Sequence, residues 1–263
     1  MKRLAKFVFL GLAAAASAVP AAADTEAASF QSEYSLSLLG FTVARSSFSS
    51  TFQGDKFSVR GSMASAGLAK IFDSTKGTIS ASGRFSGHRP RPENFASDYV
   101  SGKKAQKTAI SFSGGNVAKT VNVPPLKKRG SDWVPVGTDH LRAVADPISA
   151  ALVRADNPKE ICERRIKMYD GEMRADLVLS YASIEPVSIA GYEGKAVFCN
   201  ARFVPVAGYR KGHKSIEYLR NRSKIAIAFA PVGTTGIYAP IYATVGTQIG
   251  TVIIRARKFE PVN

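Results

Sequence analysis

Cysteine is nearly missing from this chain of 263 residues, which has only two, Cys162 and Cys199. One pair excludes a cysteine-rich metal module or a multi-disulfide scaffold, and its wide spacing is not the Cys-x-x-Cys of a redox-active pair. Histidine is as scarce: His88, His140 and His213 lie far apart, with no metal-ligand spacing among them. There is no Gly-x-Ser-x-Gly elbow, and Gly212-His213-Lys214-Ser215 lacks the upstream glycine of a phosphate loop. Asp139-His140, close in sequence to the single tryptophan Trp133, is an isolated pair on a loop and too little for a catalytic centre. No cofactor, metal or enzymatic activity is therefore expected. Beyond the N-terminal segment no stretch approaches the roughly 20 apolar residues of a spanning helix. Acidic residues are the last shortage, 20 against 36 Lys and Arg.

What is present begins with a leader. Lys2, Arg3 and Lys6 precede a short apolar run from Phe7 to Ala18, and Ala21-Ala22-Ala23 offers a small-residue cleavage site before Asp24. A second such site lies at Ala16-Ser17-Ala18. This is the pattern of a secretory signal peptide over residues 1–23, and no cysteine lies near either site to take a lipid anchor. The remainder, 24–263, is expected to be a single β-rich domain, exported to the periplasm. Taking the leader's three basic residues from 36 leaves 33 against 20 acids, a net charge of +13. In that compartment such a charge favours anionic envelope partners, lipopolysaccharide or phospholipid, rather than nucleic acid. An even pair of cysteines there reads as one structural disulfide, Cys162 with Cys199, closing a loop worth about 3–4 kcal/mol on the chain-entropy estimate.

Strand patterning dominates the rest. Tyr34, Leu36 and Leu38 alternate with serines up to Gly40; Phe41 to Gln53 and Lys56 to Ser65 continue loosely, split by Gly54-Asp55. Thr75 to Ser86 and Ala105 to Val123 follow, the latter broken at Gly114-Gly115-Asn116. Pro124 to Ala145 reads as a long loop. Asp146-Pro147 then starts a short helix, stopped at Asn157-Pro158. Further strands are expected over 161–169, 172–181, 195–204, 223–230, 236–247 and 251–259. About ten to thirteen strands with one or two short helices must curl to protect their edges. The expected fold is all-β, mainly antiparallel, in one curved sheet that is barrel- or spiral-like.

The stretch Cys162 to Tyr181 carries the sharpest expectation. A two-residue turn at Asp170-Gly171 would pair Tyr169 with Glu172 and Met168 with Met173. Cys162, Ile166, Met168, Met173, Ala175, Leu177 and Leu179 would then share the core face, leaving Glu163, Arg165, Lys167, Arg174, Asp176 and Val178 in solvent. Arg164 would be the one charge aimed inward, needing an internal partner or an anionic ligand. The remaining basic residues form three clusters: Lys103, Lys104 and Lys107; Lys127, Lys128 and Arg129; and Arg210, Lys211 and Lys214 running on to Arg222. They are candidate contacts for an anionic surface.

Asp146-Pro147-Ile148-Ser149-Ala150, Cys162, Met168-Tyr169-Asp170-Gly171-Glu172-Met173-Arg174 and Cys199, with Val204 to Tyr209 and Thr247 to Gly250, together resemble the exported bacterial proteins of domain-of-unknown-function family 3108 (DUF3108). Glu172 and Met173 depart from that family's more basic hairpin. The resemblance implies a periplasmic β-rich protein, similar in style to β-spiral envelope-integrity proteins, and transfers no catalytic residue. Three functions stay open: a non-enzymatic envelope-supporting protein that binds a lipid, glycan or protein; a lipid or lipoprotein carrier with an acyl-chain cavity; and a hydrolase.

Overall fold

Alternation of apolar and small polar residues builds the first seven strands of the computed structural model, which describes residues 27–67, 74–127 and 129–262. The expected signal peptide lies outside the described residues, as does Lys128. Strands β1 (Ala28–Leu38), β2 (Phe41–Gln53), β3 (Lys56–Ser65), β4 (Lys76–Ser86), β5 (Arg89–Ser101), β6 (Lys104–Ser113) and β7 (Asn116–Val123) form an antiparallel meander. On its inner face Phe30, Phe52, Phe57, Phe85, Phe95 and Ile110 are buried, while serines and threonines occupy the outer positions.

The second half of the chain supplies β8 (Trp133–Val134), helix α1 (Pro147–Ala151), β9 (Val153–Arg154), β10 (Arg165–Tyr169), β11 (Arg174–Ile189), β12 (Tyr192–Ala207), β13 (Tyr209–Arg210), helix α2 (Lys214–Asn221), β14 (Ile225–Pro231), β15 (Ile237–Thr247) and β16 (Gly250–Val262). One 14-stranded sheet runs β10-β11-β12-β14-β15-β16-β1-β2-β3-β4-β5-β6-β7, with β9 alongside β15; β8 and β13 form a separate ribbon. The sheet curls without closing its ladder. Its two edges are bridged instead: Asn122 of β7 donates to the Gly171 carbonyl at the β10–β11 turn (3.1 Å). Ala145, just before α1, exchanges backbone hydrogen bonds with Lys167 and Tyr169 of β10. The patterning predicted an all-β, mainly antiparallel, barrel- or spiral-like sheet with one or two short helices, and the structure has that architecture, with the ladder left open.

Inside the curl, Phe30, Phe52, Phe57, Phe85, Ile237, Ile241 and Phe259 pack with Leu152, which follows α1. Phe30 and Phe259 meet edge to face at 4.6 Å between ring centres. Asp146 caps α1 as expected, its Oδ1 accepting from the N–H groups of Ile148 and Ser149. Its complete burial raises its carboxyl above the usual range, partly offset by Ser149 and these N–H groups. In β14 three consecutive residues are buried because both faces are covered. Ala228 and Ala230 face the aromatic cluster, while Phe229 faces a second one with Val153, Ile161, Leu179 and Val197.

The structure departs from the sequence pattern at several points, two of them at prolines. The helix ends at Ala151, before Asn157-Pro158; Asn157 instead accepts from the Lys159 N–H and starts a 3-10 turn, Pro158–Ile161, and the strand expected from Ile161 begins only at Arg165. Strand β5 was hidden by Pro90 and Pro92. It pairs with β6 only from Asn94 onward, so the prolines sit where β5 has no partner on that side.

Candidate functional site

The hairpin of β10 and β11 is where the register expected from Asp-Gly fails. The turn spans four residues, 170–173, and Tyr169 pairs with Arg174, Met168 with Ala175 and Ile166 with Leu177. Asp170 is the reason: its Oδ1 accepts from the N–H groups of Glu172 (2.9 Å) and Met173 (2.7 Å), drawing two more residues into the turn. The slip is by two residues, so each side chain keeps its face. On the face assigned to solvent Arg165 and Lys167 are exposed, but the β11 part of it is covered. Arg174 and Asp176 are buried, and Arg174 Nε donates to the carbonyl of His140 in the 3-10 turn Thr138–Leu141 lying against it (3.1 Å). Asp176 holds Arg174 through one oxygen and Arg165 through the other (2.8 Å), with Arg165 half out in solvent. The internal charge of the hairpin is therefore Arg174, not Arg164.

Arg164 lies just outside β10, half-buried, and donates from Nε and Nη2 to the Glu160 carbonyl (3.1 and 2.9 Å), satisfying the end of the 3-10 turn. Desolvation lowers its pKa from the ordinary arginine value, against the pull of Glu160. Its partner is structural, a backbone carbonyl rather than a buried carboxylate. Arg164→Leu should accordingly cost only about 1 kcal/mol, the value of a partly exposed hydrogen bond, in a urea melt. A loss of ~3 kcal/mol or more would show the charge to be paired inside.

Cys162 and Cys199 are both fully buried and bonded to each other, with Cα atoms 5.3 Å apart. The bond ties the 3-10 turn to the middle of β12, within the second apolar cluster. Near it a cleft of about 580 Å³ opens along the sheet's seam. His88, Arg89, Arg91, Arg164, Arg165 and Lys167 line it, with Glu163 as its lining carboxylate. Half of these groups have partners inside the fold: His88 meets Asp156 (3.2 Å), Arg165 meets Asp176 and Arg164 meets Glu160. Their first task is to hold the seam.

The stronger concentration of free charge is at one end of the sheet, and antiparallel topology puts it there. Leu38 pairs with Val252, Val245 with Ile225, Ser101 with Lys104 and Lys107 with Val123, so the turns after β1, β5, β7, β10, β12 and β15 share that end. Lys103 and Lys104 come from the β5–β6 turn, and Lys76 opens β4. Lys127 and Arg129 follow β7; Arg210, Lys211 and Lys214 follow β12; Arg222 and Lys224 lead into β14. The β8–β13 ribbon joins two of the sequence clusters, pairing Arg210 with Trp133 while Arg129 stacks on the Trp133 ring at 4.4 Å. Five described carboxylates at this end are occupied. Asp98 holds Lys107 (2.9 Å), Asp132 holds Arg210 (3.0 Å), Glu172 holds Arg129, Glu217 holds Arg220 and Asp170 binds its own turn. Among the described residues Lys76, Lys103, Lys104, Lys127, Lys211, Lys214, Arg222 and Lys224 have no carboxylate partner. Arg129 and Arg210, candidates from sequence, are thus largely neutralised. Lys76 was missed, being isolated in sequence and brought in only by strand order, and Lys224 extends the third sequence cluster two residues past Arg222.

The histidines stay apart: His88 on the β4–β5 turn, His140 accepting the Gly137 N–H in its own 3-10 turn and His213 preceding α2. Among the described residues no helix is long and apolar enough to cross a membrane.

This is a barrel-like β protein with a filled interior and a charged end. Over residues 33–257 it matches the profile described as "Protein of unknown function (DUF3108)", and the chain belongs to that family. Among solved structures it is similar to a beta-barrel-like protein of the domain of unknown function DUF1849 from Brucella abortus. The two share 8% identity at a TM-score of 0.50 over 90% of this chain and 98% of the other, a likeness of fold alone. No curated protein matches the chain.

Proposed function

We propose that this is a non-enzymatic protein of the periplasm that supports the cell envelope by binding anionic envelope material at the basic end of its sheet. The observation that carries the reading is the gathering of cations distant in sequence, Lys76, Lys103, Lys104, Lys127, Lys214 and Lys224, at one end where, among the described residues, Asp98, Asp132, Asp170, Glu172 and Glu217 are already taken. The leader-like N-terminal sequence and the buried disulfide support the oxidising, exported compartment. The phenylalanine-filled interior supports a scaffold over a carrier, because an acyl chain would need that space empty. The groove of about 870 Å³ on the outer face of β1–β5 carries Glu33, Arg45, Lys76, Asp98 and Arg257 in its lining, charges that a lipid tail would have to desolvate.

The test is sedimentation with vesicles of phosphatidylglycerol and phosphatidylethanolamine, and separately with lipopolysaccharide, across a salt series. Binding should be strong in 0.1 M salt and fall steeply toward 1 M, as the screening length shrinks from ~10 Å to ~3 Å. The variant K103E/K104E/K214E should bind several-fold more weakly while melting at an unchanged temperature. Equal binding of this variant and the parent in 0.1 M salt would overturn the reading.

A further inference from the structure

The charged end also carries apolar side chains where turn chemistry disfavours them. Strands β1 and β2 are joined by the two-residue turn Leu39-Gly40, with φ of 52° and 83°. That left-handed pair is the geometry for which Asn-Gly is preferred, and a leucine there adopts a conformation that side-chain-bearing residues rarely take. Burial does not explain the choice: Leu39 is 68% exposed and its strand-opening neighbour Phe41 is 62% exposed. On the adjoining hairpin, between β15 and β16, Ile249 is 69% exposed. The two tips touch, since a Cβ placed on Gly250 would stand 2.7 Å from Leu39 Cδ2. Met63 and Val123, also exposed, lie toward the same end. A local sequence that breaks its turn rule at Leu39 and its burial rule on two adjacent hairpins marks a contact surface.

Charge decides what it contacts. Cations without carboxylate partners flank these tips: Lys76 and Lys103 toward one side, and Lys214 and Lys224 toward the other. Ser215 beside Lys214 approaches Gln248 of the Ile249 turn (3.5 Å), and Lys224 accepts the Gly246 N–H. A protein partner would have to supply a matching acidic ring around an apolar socket. An anionic lipid surface offers both as a matter of course, phosphates at the headgroup level and hydrocarbon beneath. We infer that Leu39, Phe41 and Ile249 form a wedge that enters the interface of an anionic bilayer while the surrounding lysines engage lipid phosphates. This rests on the anionic-surface reading above and deepens it, naming the lipid bilayer as the material and the hairpin tips as the part that enters it.

The experiment uses the full mature chain and vesicles of phosphatidylglycerol and phosphatidylethanolamine. In a Trp133→Phe background, Phe41→Trp should shift its emission to the blue on adding vesicles and be quenched by lipids brominated on the acyl chain. The variant L39N/F41S/I249S keeps the turn, since asparagine accepts the left-handed conformation. It should partition at least ~10-fold more weakly, because burying even one side chain of this size is worth more than that factor. If vesicles bind but the tryptophan neither shifts nor is quenched, the wedge is wrong and the purely electrostatic reading survives. If neither protein binds vesicles but the parent still binds lipopolysaccharide, the wedge falls and the anionic-surface reading stands; binding to neither material overturns both. If the parent self-associates without lipid and L39N/F41S/I249S does not, the tips bind a second copy of the chain, and the wedge is overturned.

Discussion

Asp176→Ala is expected to destabilise the protein by about 3–5 kcal/mol, the largest loss from any single substitution in the β10–β11 hairpin. The carboxylate is nearly inaccessible and is shared by two guanidiniums, one of them, Arg174, as deeply buried as itself. Removing it strands Arg174 inside with only the carbonyls of His140 and Ala175 for company. A buried charge that loses its partner typically costs that much. For a chain of this size the melting temperature should fall by on the order of 10 °C. The control is the double substitution Arg174→Met with Asp176→Leu, which removes the whole pair and its desolvation cost together. It should recover most of the loss. A single variant that melts within about 2 °C of the parent would show that water reaches the site and that the pair contributes no more than a surface bridge.

Replacing Cys162 and Cys199 with alanine is expected to cost a comparable ~3–4 kcal/mol, from the loop closure returned to the unfolded chain. The effect should be local in the folded state, because the bond anchors the 3-10 turn and the run from α1 to β10 rather than the sheet's ladders. Proteolysis within residues 152–165 should therefore accelerate before the sheet melts, while vesicle binding at the far end is retained. Thiol labelling of the unreduced native protein should detect neither cysteine. Full labelling of both would reject the bond.

Fold class, helix cap and disulfide were legible in the sequence because each rests on local rules. Tyr34 to Leu38 alternates at period two, Asp146-Pro147 carries its capping chemistry in adjacent residues, and a lone cysteine pair has a single pairing. The hairpin register was not legible, because an Asp-Gly pair signals a two-residue turn while the Asp170 side chain closes a longer one. Nor could the fate of Arg174 be read: its face is solvent-facing by strand pattern and is covered by residues more than thirty positions away, at His140. The helix Lys214–Asn221 gave no signal because His213 provides no side-chain cap and none of its residues is buried. The basic end illustrates the wider limit. Its lysines are visible one cluster at a time, but their convergence depends on strand order, and above all on β16 lying beside β1.

That last pairing has a consequence for how the molecule comes into being. Ser29 lies opposite Val262 and Leu38 opposite Val252, so the centre of the sheet is made from the first and last described strands rather than from neighbours in the chain. The meander β1–β7 and the block β10–β15 can each form early from local hairpins. They can unite only when β16 arrives, a closure spanning nearly the whole described chain. Such non-local pairing is slow, on the millisecond-to-second scale and beyond for β proteins, and holds a growing chain open. The export proposed above would gain from this delay, since a chain must be unfolded to be threaded through a membrane. Until β16 is delivered, β1 waits with an unpaired edge, and losing that final strand would cut the sheet through its middle.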